Sequence, residues 1–581
     1  MKNKNVFNEL DQKFKNKKAE WIILLYFLVV SVLSFLFFYK SQVIYLGADI
    51  QFHVNRIEEL VHTLRSGSLF SYIATFSANK VGIGTNIFYP DFFMYIFAGL
   101  RLIVRSPITA IYGGIMLINL ATFLISYFTF KNFSNSKSKA FLFANIYFFS
   151  TYRYIDILNR FDISEFIALT FIPLVFLSFY KIFFLGEYKY WPYLGLAMAG
   201  LLYAHILTFI ICSLFLIVLA LVFVRKNPSI VYSLISVLKA VILFILLSVG
   251  FLYSFLITYT ASPIKSPRLF LLSQTAMTPN GLFDNTLANN IAGDGSSYNL
   301  GIISLVIFIL AICNYKKLTS VFRKLLWISV VGVIFTTNLF PWRILQDTPV
   351  ATLQFPFRLF TVINFMVAVL AVGVLDTIGR RIITYAVIPV LIFLNIGSIS
   401  NFVASREEKP LLRNEFRPSA SVKDRYNITI DVKGYKYLSP LNPNRDYIPM
   451  KGINDDGSFE HNTLVFWHNT TIDHHKYIIK KIKSKPNGLT YTLPLAKNSQ
   501  KIVLPFYIYR AKNYRVSVNQ HKVKVQQTQY HTLKVPIKKG VNKIDIEYVP
   551  SKAQILSKII SLLTLLVTVF TLCIRLIIKR D

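Results

Sequence analysis

The sequence predicts a polytopic α-helical membrane protein that carries a separate β domain near its C-terminal end. Three observations lead to this prediction. Of the 581 residues, 54% are hydrophobic and only 16% are charged, whereas a soluble protein has about 25% charged residues. Apolar runs recur along the chain and approach the roughly 20 residues that cross a bilayer. A late polar region instead alternates apolar and polar residues, which is typical of strands.

The N-terminal segment is basic and precedes a membrane anchor. Residues 1–20 contain six lysines, and the apolar run that follows has no small-residue cleavage site. We therefore expect a cytoplasmic N-terminus at 1–20 and an uncleaved first span. The membrane domain is predicted at 21–399, and the apolar runs predict about twelve spans in the whole chain. These lie near 21–39, 108–130, 140–156, 166–184, 191–206, 207–225, 231–256, 300–314, 325–340, 358–376, 382–399 and 554–577.

Loop charge sets the predicted orientation. If 88–104 is an interfacial or re-entrant helix, the short basic loops face the cytoplasm, as the positive-inside rule requires. The loop 40–107 and the polar domain 400–553 then lie outside the cell membrane. Residues 554–581 are predicted to form a C-terminal transmembrane helix, which brings the chain back to the cytoplasm, and a cytoplasmic tail. The prediction is a multi-pass protein of the cell membrane with both termini in the cytoplasm and an extracytoplasmic β domain.

The domain at 400–553 is predicted to be a small antiparallel β-sandwich. Residues 501–509, 514–519 and 543–548 alternate in polarity, and turn signals such as 486–488 separate strands. The three cysteines all lie in apolar runs, so the domain needs no disulfide, which is typical of a Gram-positive surface. The net charge of +35 comes mostly from short loops and this domain. It favours membrane lipids and an anionic cell-surface polymer as partners, and no nucleic acid.

The polar segment after the first span contains the candidate catalytic residue. On a helix, Asp49, His53 and Arg56 share one face. Asp49 is a candidate general base for an acceptor hydroxyl, or it holds a metal or positions the acceptor; the alternative is an N-cap for a helix over 50–65. His53 and Arg56 are candidates for contacting a phosphate. The alternative for Arg56 is an ion pair with Glu59 on a solvated helix face.

Two further clusters are predicted at the same membrane surface. Arg160 and Glu165 are candidate substrate-binding residues, because charge at the end of a membrane helix is costly unless it is used or paired. The alternative is a capping box, since Asp162 precedes Glu165 by three residues. His205 lies at a predicted bend between spans. It is either a substrate-binding residue or a core histidine with satisfied hydrogen bonds.

The last cluster surrounds a proline. Pro356 forces Phe355 away from helical geometry and can begin a helix. Arg358 would lie in its first turn, where helix N–H groups and a guanidinium favour an anion. Gln354 and Arg358 are therefore candidate substrate-binding residues, with a snorkelling arginine as the alternative. No phosphate-loop, zinc-protease or paired-cysteine motif occurs. We assign no metal ligand and no certain cofactor, and the need for a divalent cation is left open.

Taken together, these segments resemble the GT-C superfamily of multispan glycosyltransferases. Within it, the chain is similar to bacterial YfhO-like membrane proteins, some of which are described as 6-pyruvoyl-tetrahydropterin-synthase-related. The resemblance covers nearly the whole chain. It rests on the segments GADIQFHVNRIEEL at 47–60, FYP at 88–90, NRFDISEF at 159–166, AHILT at 204–208 and LQFPFRLF at 353–360. It implies a transferase that uses a polyprenyl-phosphate-linked sugar at the outer face, with Asp49 as the catalytic residue.

The sequence thus predicts a membrane glycosyltransferase that moves a sugar from a polyprenyl-phosphate carrier to a cell-surface glycan or teichoic-type polymer. Two alternatives are a non-catalytic transporter or flippase of lipid-linked glycans and a membrane protein that binds wall polymers. A transporter would be expected to place polar residues deep in its spans at both leaflets. The polar clusters here collect at the predicted outer face, which favours the enzyme.

Overall fold

The protein consists of two compact units. The computed structural model describes residues 17–262, 264, 267, 269–293, 297–379, 381–406, 409–410, 428–438, 446–449 and 464–578. Residues 1–16 of the predicted segment 1–20 and parts of the predicted domain 400–553 lie outside the described residues. One unit contains Met1–Ile50, Ile111–Phe244 and Leu269–Asp431, and the other contains Gln51–Ala110, Ile245–Arg268 and Val432–Asp581.

The first unit is almost entirely helical. Its α-helices are Lys17–Ser41, Lys137–Phe148, Thr151–Tyr154, Ile163–Leu169, Ile172–Leu185, Trp191–Ala204, Ile206–Phe223, Leu272–Thr275, Pro279–Leu287, Ile302–Cys313, Ser320–Phe335, Phe360–Ile378 and Arg381–Ala404. Pro107–Ser134 and Ile230–Tyr259 belong partly to each unit. A π-helix, Ile155–Arg160, interrupts the series. Short 3₁₀ turns are formed by Tyr188–Tyr190, Val224–Lys226, Tyr315–Lys317, Trp342–Leu345, Pro349–Leu353 and Pro356–Leu359.

A three-stranded sheet also belongs to the first unit. Its central strand, Ile428–Ile430, pairs antiparallel with Ile44–Tyr45 and parallel with Lys409–Pro410. The Leu46 N–H extends the antiparallel pairing by donating to the Ile428 carbonyl at 2.9 Å. This pairing fixes the chain just before Asp49.

The core of the first unit is built around the helix Phe360–Ile378. The helix is apolar on nearly all sides and mostly buried, as expected for a helix surrounded by others. The Phe365 ring packs against Phe143 and Phe176 with centroid distances of 6.0 and 5.0 Å. Gly373 lets the Phe322 ring pack close to this helix, because an added Cβ would lie 2.5 Å from the ring.

The structure confirms a helical membrane fold. Among the described residues, eight helices are long and apolar enough to cross a bilayer: Lys18–Ser41, Pro107–Ser134, Ile163–Leu185, Ile206–Lys226, Ile230–Tyr259, Pro356–Ile378, Ala386–Ala404 and Lys552–Arg575. Four other predicted spans coincide with helices of only 12 to 16 residues. At 1.5 Å per residue these cover less than the ~30 Å hydrocarbon layer. The total of about twelve spans therefore stays a prediction. The ten-residue helix Met94–Ile103 is likewise shorter than this layer, and the interfacial or re-entrant placement of 88–104 stays a prediction.

The second unit combines helices with the β region. Its helices are Ile50–Arg65, which begins at the unit boundary, Thr85–Phe88, Met94–Ile103, Val432–Leu438 and Lys552–Ile578, with 3₁₀ turns at Ala78–Lys80 and Ala511–Asn513. An antiparallel sheet of five strands has the spatial order His521–Val523, Tyr514–Val518, Lys543–Tyr548, Gly488–Thr492, Lys481–Lys485. A sheet of three has the order Gln526–Gln527, Thr532–Ile537, Gln500–Tyr507, and Asn469–Ile472 pairs with His475–Ile478.

The two larger sheets share one apolar core. Alternating residues of the strands, including Leu489, Leu504, Val516, Leu533 and Ile546, are buried in a single cluster. The alternation that predicted the strands therefore reflects one face turned to this core. The hairpin at 486–488 is also confirmed, because Lys481–Lys485 pairs antiparallel with Gly488–Thr492.

Candidate functional site

The backbone of the candidate site begins with an unusual helical turn. Residues Ile155–Arg160 form a π-helix, a rare wide turn that often occurs at functional sites. It ends at Phe161, whose φ of 59° is uncommon for a residue other than glycine. The N–H groups of Phe161 and Asp162 both donate to the Asp156 carbonyl. This tight reversal brings polar side chains from both sides of Phe161 together.

Asp162 begins the next helix, Ile163–Leu169. Its Oδ1 accepts a hydrogen bond from the Glu165 N–H at 3.0 Å, which confirms the predicted capping interaction. Its Oδ2 accepts a hydrogen bond from Arg160 Nη2 at 2.9 Å. Capping and ion pairing therefore use different oxygens, and capping does not exclude Asp162 from the site.

Arg160 lies at the centre of a group of carboxylates. Its Nη1 donates to Asp156 Oδ1 at 2.7 Å and to Glu165 Oε2 at 2.6 Å. Its Nη2 lies 2.9 Å from Asp162 Oδ2 and 3.6 Å from Asp49 Oδ2. The Arg160 side chain is 4% exposed, and those of Asp156 and Glu165 are fully buried. Because buried charges are unfavourable without partners, the guanidinium and carboxylates hold one another in place.

Asp49 approaches this group from the chain that leaves the first span. Its N–H donates to the Arg160 carbonyl at 2.9 Å. Gly47 permits the approach, since an added Cβ would lie 2.6 Å from both the Arg160 carbonyl oxygen and the Phe161 Cβ. The Asp49 side chain is 41% exposed. Asp49 is thus the solvent-accessible carboxylate beside a buried charge cluster.

A second guanidinium adjoins Glu165. Arg358 Nε lies 3.8 Å from Glu165 Oε2, while Arg358 Nη1 donates to the Leu353 carbonyl at 3.0 Å and to Gln354 Oε1 at 2.7 Å. On its other side, Glu165 Oε1 accepts a hydrogen bond from the Tyr152 hydroxyl at 2.5 Å. Glu165 therefore links the two arginines in the centre of the site.

The proline segment has the predicted local structure. Phe355 is extended, Pro356–Leu359 forms a 3₁₀ turn and an α-helix follows from Phe360. Gln354 has a φ of 62°, so a second non-glycine residue with left-handed backbone lies at the site. The Arg358 side chain is 9% exposed, and its guanidinium lies 5.2 Å from the centroid of the Phe355 ring. The Arg358 side chain is buried and hydrogen-bonded to protein groups, whereas a snorkelling arginine keeps its charged head in water.

His205 reaches the site from a break between two helices. It is extended (φ −153°, ψ 111°) between Trp191–Ala204 and Ile206–Phe223, as the predicted bend requires. Its Nδ1 lies 2.8 Å from Thr208 Oγ1. When Nδ1 carries the proton and donates this hydrogen bond, Nε2 is unprotonated and can coordinate a metal ion.

The structure groups three possible metal ligands that the sequence analysis did not assign. One ligand atom each of Asp162, Glu165 and His205 lies within 4.8 Å of the other two, and all three residues are buried. Two carboxylates and an imidazole form a donor set suited to a divalent cation such as Mn²⁺ or Zn²⁺. These three residues are therefore suitable ligands for a divalent cation. The sequence analysis left open whether the protein needs one.

His53 and Arg56 belong to the other unit. Both are buried, with 1% and 3% exposure. The Arg56 guanidinium lies 4.6 Å from the centroid of the Tyr89 ring, and its Nη2 donates to the Pro90 carbonyl. Glu59 is 1% exposed, so the interpretation of Arg56 and Glu59 as a solvated helix face is wrong. A phosphate-binding role for His53 and Arg56 stays a prediction.

Sequence reasoning missed two members of the cluster. Asp156 precedes Arg160 by four residues, a spacing that favours pairing on a helix, so its position was open to prediction. Tyr152 gave no such signal, because its contact with Glu165 depends on how two short helices pack. Asp49, Arg160, Glu165, His205, Gln354 and Arg358, all predicted from the sequence, belong to the same unit.

Comparison with known proteins gives few matches. No protein-family model matches the chain. An uncharacterized protein of Lactococcus lactis subsp. cremoris is 23% identical over 359 residues, which are 57% of this chain and 56% of that protein. The chain thus aligns with little more than half the length of this curated relative. Among solved structures, the arabinofuranosyltransferase AftD from mycobacteria has a TM-score of 0.43 and 12% identity, over 65% of this chain and 26% of that one.

Proposed function

We propose that this protein is a membrane glycosyltransferase of the GT-C type. It transfers a sugar from a polyprenyl-phosphate carrier to a cell-surface glycan or teichoic-type polymer at the outer face. The observation that carries the proposal is the buried cluster around Arg160, with a solvent-accessible carboxylate at its edge. Such a combination suits a reaction between a lipid-borne phosphate and a water-borne acceptor.

The charge of the cluster supports a bound cation. Three buried carboxylates face two guanidinium groups, which leaves one buried negative charge when all are ionised, and the accessible Asp49 adds a second at the edge. Buried uncompensated charge is strongly unfavourable. Asp162, Glu165 and His205 would hold a divalent cation that neutralises this excess. The bound cation would supply electrostatic stabilisation of a phosphate leaving group.

Asp49 is the proposed general base. As the acceptor oxygen forms its bond to the anomeric carbon, the bond from that carbon to the carrier phosphate breaks. The phosphate leaves with the bonding electrons, and Asp49 accepts the hydroxyl proton. Its longer distance to Arg160, 3.6 Å against 2.6 to 2.9 Å for the other carboxylates, and its exposure suit proton transfer.

The arginines take different roles. Arg160 is proposed as a positioning residue, because its terminal nitrogens already contact four carboxylates. Arg358 is proposed to bind the lipid phosphate. Its buried Nε has no hydrogen-bond partner among the described residues, and the guanidinium fork suits phosphate oxygens. Gln354 orients this fork through the 2.7 Å hydrogen bond.

Sugar transfer can be tested in proteoliposomes. The purified protein would be supplied with radiolabelled lipid-linked sugars and a cell-surface polymer fraction, and both released polyprenyl phosphate and labelled polymer would be measured. We expect transfer by the native protein and by Asp284→Asn, a control at an exposed aspartate of the same unit, but not by Asp49→Asn. Mass analysis of surface polymers from cells with and without the protein would identify the modification. An unaltered polymer and no released carrier would reject the proposal.

A further inference from the structure

A pocket lies in the unit that contains the β region, at the start of its last helix. It has about 760 Å³ of empty space and opens to solvent. Its wall is formed by residues from three parts of the unit: Tyr253, Arg510, Lys512, Asn513, Arg515, Val549, Pro550, Ser551 and Ala553. Three of these side chains are cationic and none is acidic. Glu547, the cross-strand neighbour of Arg515, is not among the residues that line the pocket. The pocket thus carries a net positive charge.

A network of hydrogen bonds fixes the base of this pocket. Asn513, which is 2% exposed, donates from Nδ2 to the Val549 carbonyl and to Gln554 Oε1, both at 3.0 Å. Ser551 and Gln554 form a reciprocal capping box. The Gln554 N–H donates to Ser551 Oγ at 3.3 Å, and the Ser551 N–H donates to Gln554 Oε1 at 2.9 Å. The strand end and the helix start are therefore held rigidly together.

The opposite wall is fixed by close packing of two helices. An added Cβ on Gly250 would lie 2.9 Å from the Lys558 Cα, and the Gly250 N–H donates to Ser561 Oγ at 2.9 Å. A small residue at such a contact is typical of membrane helices. This packing places Tyr253, one turn further along, at the start of the last helix. The pocket is preformed by elements that do not depend on a ligand.

The pocket lies beside the end of a helix that is long and apolar enough to cross a membrane. Lys552–Arg575 is one of the helices long and apolar enough to cross a bilayer, and most of its large apolar side chains are exposed. Pro550 and Ser551 immediately precede it, so the pocket opens where this helix meets the membrane surface. Tyrosines such as Tyr253 are enriched at that depth. Phosphate groups of lipids occupy the same level.

We propose that this pocket binds the phosphate head group of an anionic membrane lipid. Arg510, Lys512 and Arg515 supply the charge, and the exposed face of the last helix lies along the acyl chains. The capping box already satisfies the Gln554 N–H at the helix start, so the cationic side chains are the main source of affinity. The site is independent of the glycosyltransferase proposal and needs no sugar transfer for its test.

Lipid binding can be measured by native mass spectrometry of the full chain. The protein would be released from nanodiscs of phosphatidylcholine alone or mixed in equal parts with phosphatidylglycerol. We expect retention of phosphatidylglycerol and not of phosphatidylcholine. The triple variant Arg510→Gln, Lys512→Gln, Arg515→Gln should weaken retention on the order of a hundredfold, from about fivefold for each cation. The control triple Lys522→Gln, Lys524→Gln, Lys538→Gln removes the same charge from exposed positions outside the pocket and should retain the lipid.

A single-residue variant and a soluble competitor complete the experiment. Lys512 is exposed, so Lys512→Glu alone should fold and should reduce retention, which provides a test if the triple variant fails to fold. Glycerol 3-phosphate is added as a soluble competitor and should compete only weakly, because it lacks acyl chains. Equal retention by the pocket and control variants would overturn the site. Equal binding of glycerol 3-phosphate and the lipid would overturn the lipid assignment, and retention of an added phosphate-containing wall polymer in place of lipid would do the same.

Discussion

Asp49 is tied to Arg160 twice, through its N–H to the Arg160 carbonyl at 2.9 Å and through its carboxylate 3.6 Å from the guanidinium. The backbone contact fixes where the carboxylate can lie, whereas the longer side-chain contact leaves it accessible. The same arginine is held by Asp156, Asp162 and Glu165. The position of the proposed base is therefore set by the buried cluster.

Gly47→Ala should disturb this relationship. The new Cβ would lie 2.6 Å from the Arg160 carbonyl oxygen, and a backbone atom cannot move aside as a flexible side chain can. We expect sugar transfer to fall by about a hundredfold, since displacements near 1 Å at a catalytic group have effects of this size. Gly99→Ala is the matched control, because an added Cβ there meets nothing within 4 Å. Full activity of Gly47→Ala would show that the approach of Asp49 to Arg160 is not required.

Asp49→Asn separates catalysis from structure. Asparagine keeps the backbone hydrogen bond and caps a helix about as well as aspartate, but it cannot accept the acceptor proton. We expect kcat to fall by about 10²- to 10⁴-fold, the usual contribution of a general base. The melting temperature should match that of the native protein, and Asp284→Asn should match it in both measurements. Retained activity at normal protein level would remove Asp49 from the mechanism.

The β region should lose stability in acid through His468. Burial is the main cause that lowers the pKa of His468 to about 4, against about 6.5 in an unfolded chain. In this window the unfolded state binds more protons, so stability is complete above pH 6.5 and falls as pH drops toward 4. The loss is at most about 3 kcal/mol, from ~1.4 kcal/mol per pKa unit. The hydrogen-exchange protection factors of the strand Asn469–Ile472, which are corrected for the intrinsic pH dependence of exchange, should fall in acid, and less so in His468→Gln. Equal acid sensitivity of the two proteins would exclude this origin.

The local features of the fold were the predictable ones. The strands at 514–519 and 543–548 could be predicted because the alternation of apolar and polar residues depends only on neighbouring positions. The cap at Asp162 could be predicted from its spacing to Glu165. The role of Pro356 was predictable for the same reason. Short apolar helices such as Trp191–Ala204 were predicted as spans, because composition alone does not fix where a helix ends.

The candidate site depends on longer-range structure. Arg160 reaches Glu165 only because a left-handed Phe161 folds the chain back after the π-helix, and no local propensity predicts that turn. His205 joins Asp162 and Glu165 through the packing of separate helices. The sequence could therefore name most of the residues, but it could not show that three of them form a donor set.

Cation binding should depend on that donor set. Asp162→Asn keeps the cap and removes the charge, and Glu165→Gln preserves size while removing the second carboxylate. Each should weaken Mn²⁺ binding, measured by electron paramagnetic resonance on purified protein, by at least about tenfold, since even residues behind metal ligands change affinity 10- to 100-fold. Asp376→Asn serves as control, because Asp376 pairs with Lys139 instead, at 2.7 Å. If all three variants bind Mn²⁺ like the native protein, these residues hold no cation.

Arg358 offers the sharpest test of donor recognition. Lysine keeps the charge but loses the planar fork that contacts Gln354 and Leu353. If Arg358 binds the lipid phosphate, Arg358→Lys should lower kcat/KM for the lipid-linked sugar, and Arg358→Ala should lower it further, by about 2–4 kcal/mol of transition-state stabilisation. Arg343→Lys, at an exposed arginine of the same unit, should have no effect. A merely structural Arg358 would show its loss in the melting temperature, with kcat/KM per folded molecule unchanged. Equal transfer rates for the native protein and Arg358→Lys at matched protein levels would reject the phosphate-binding role.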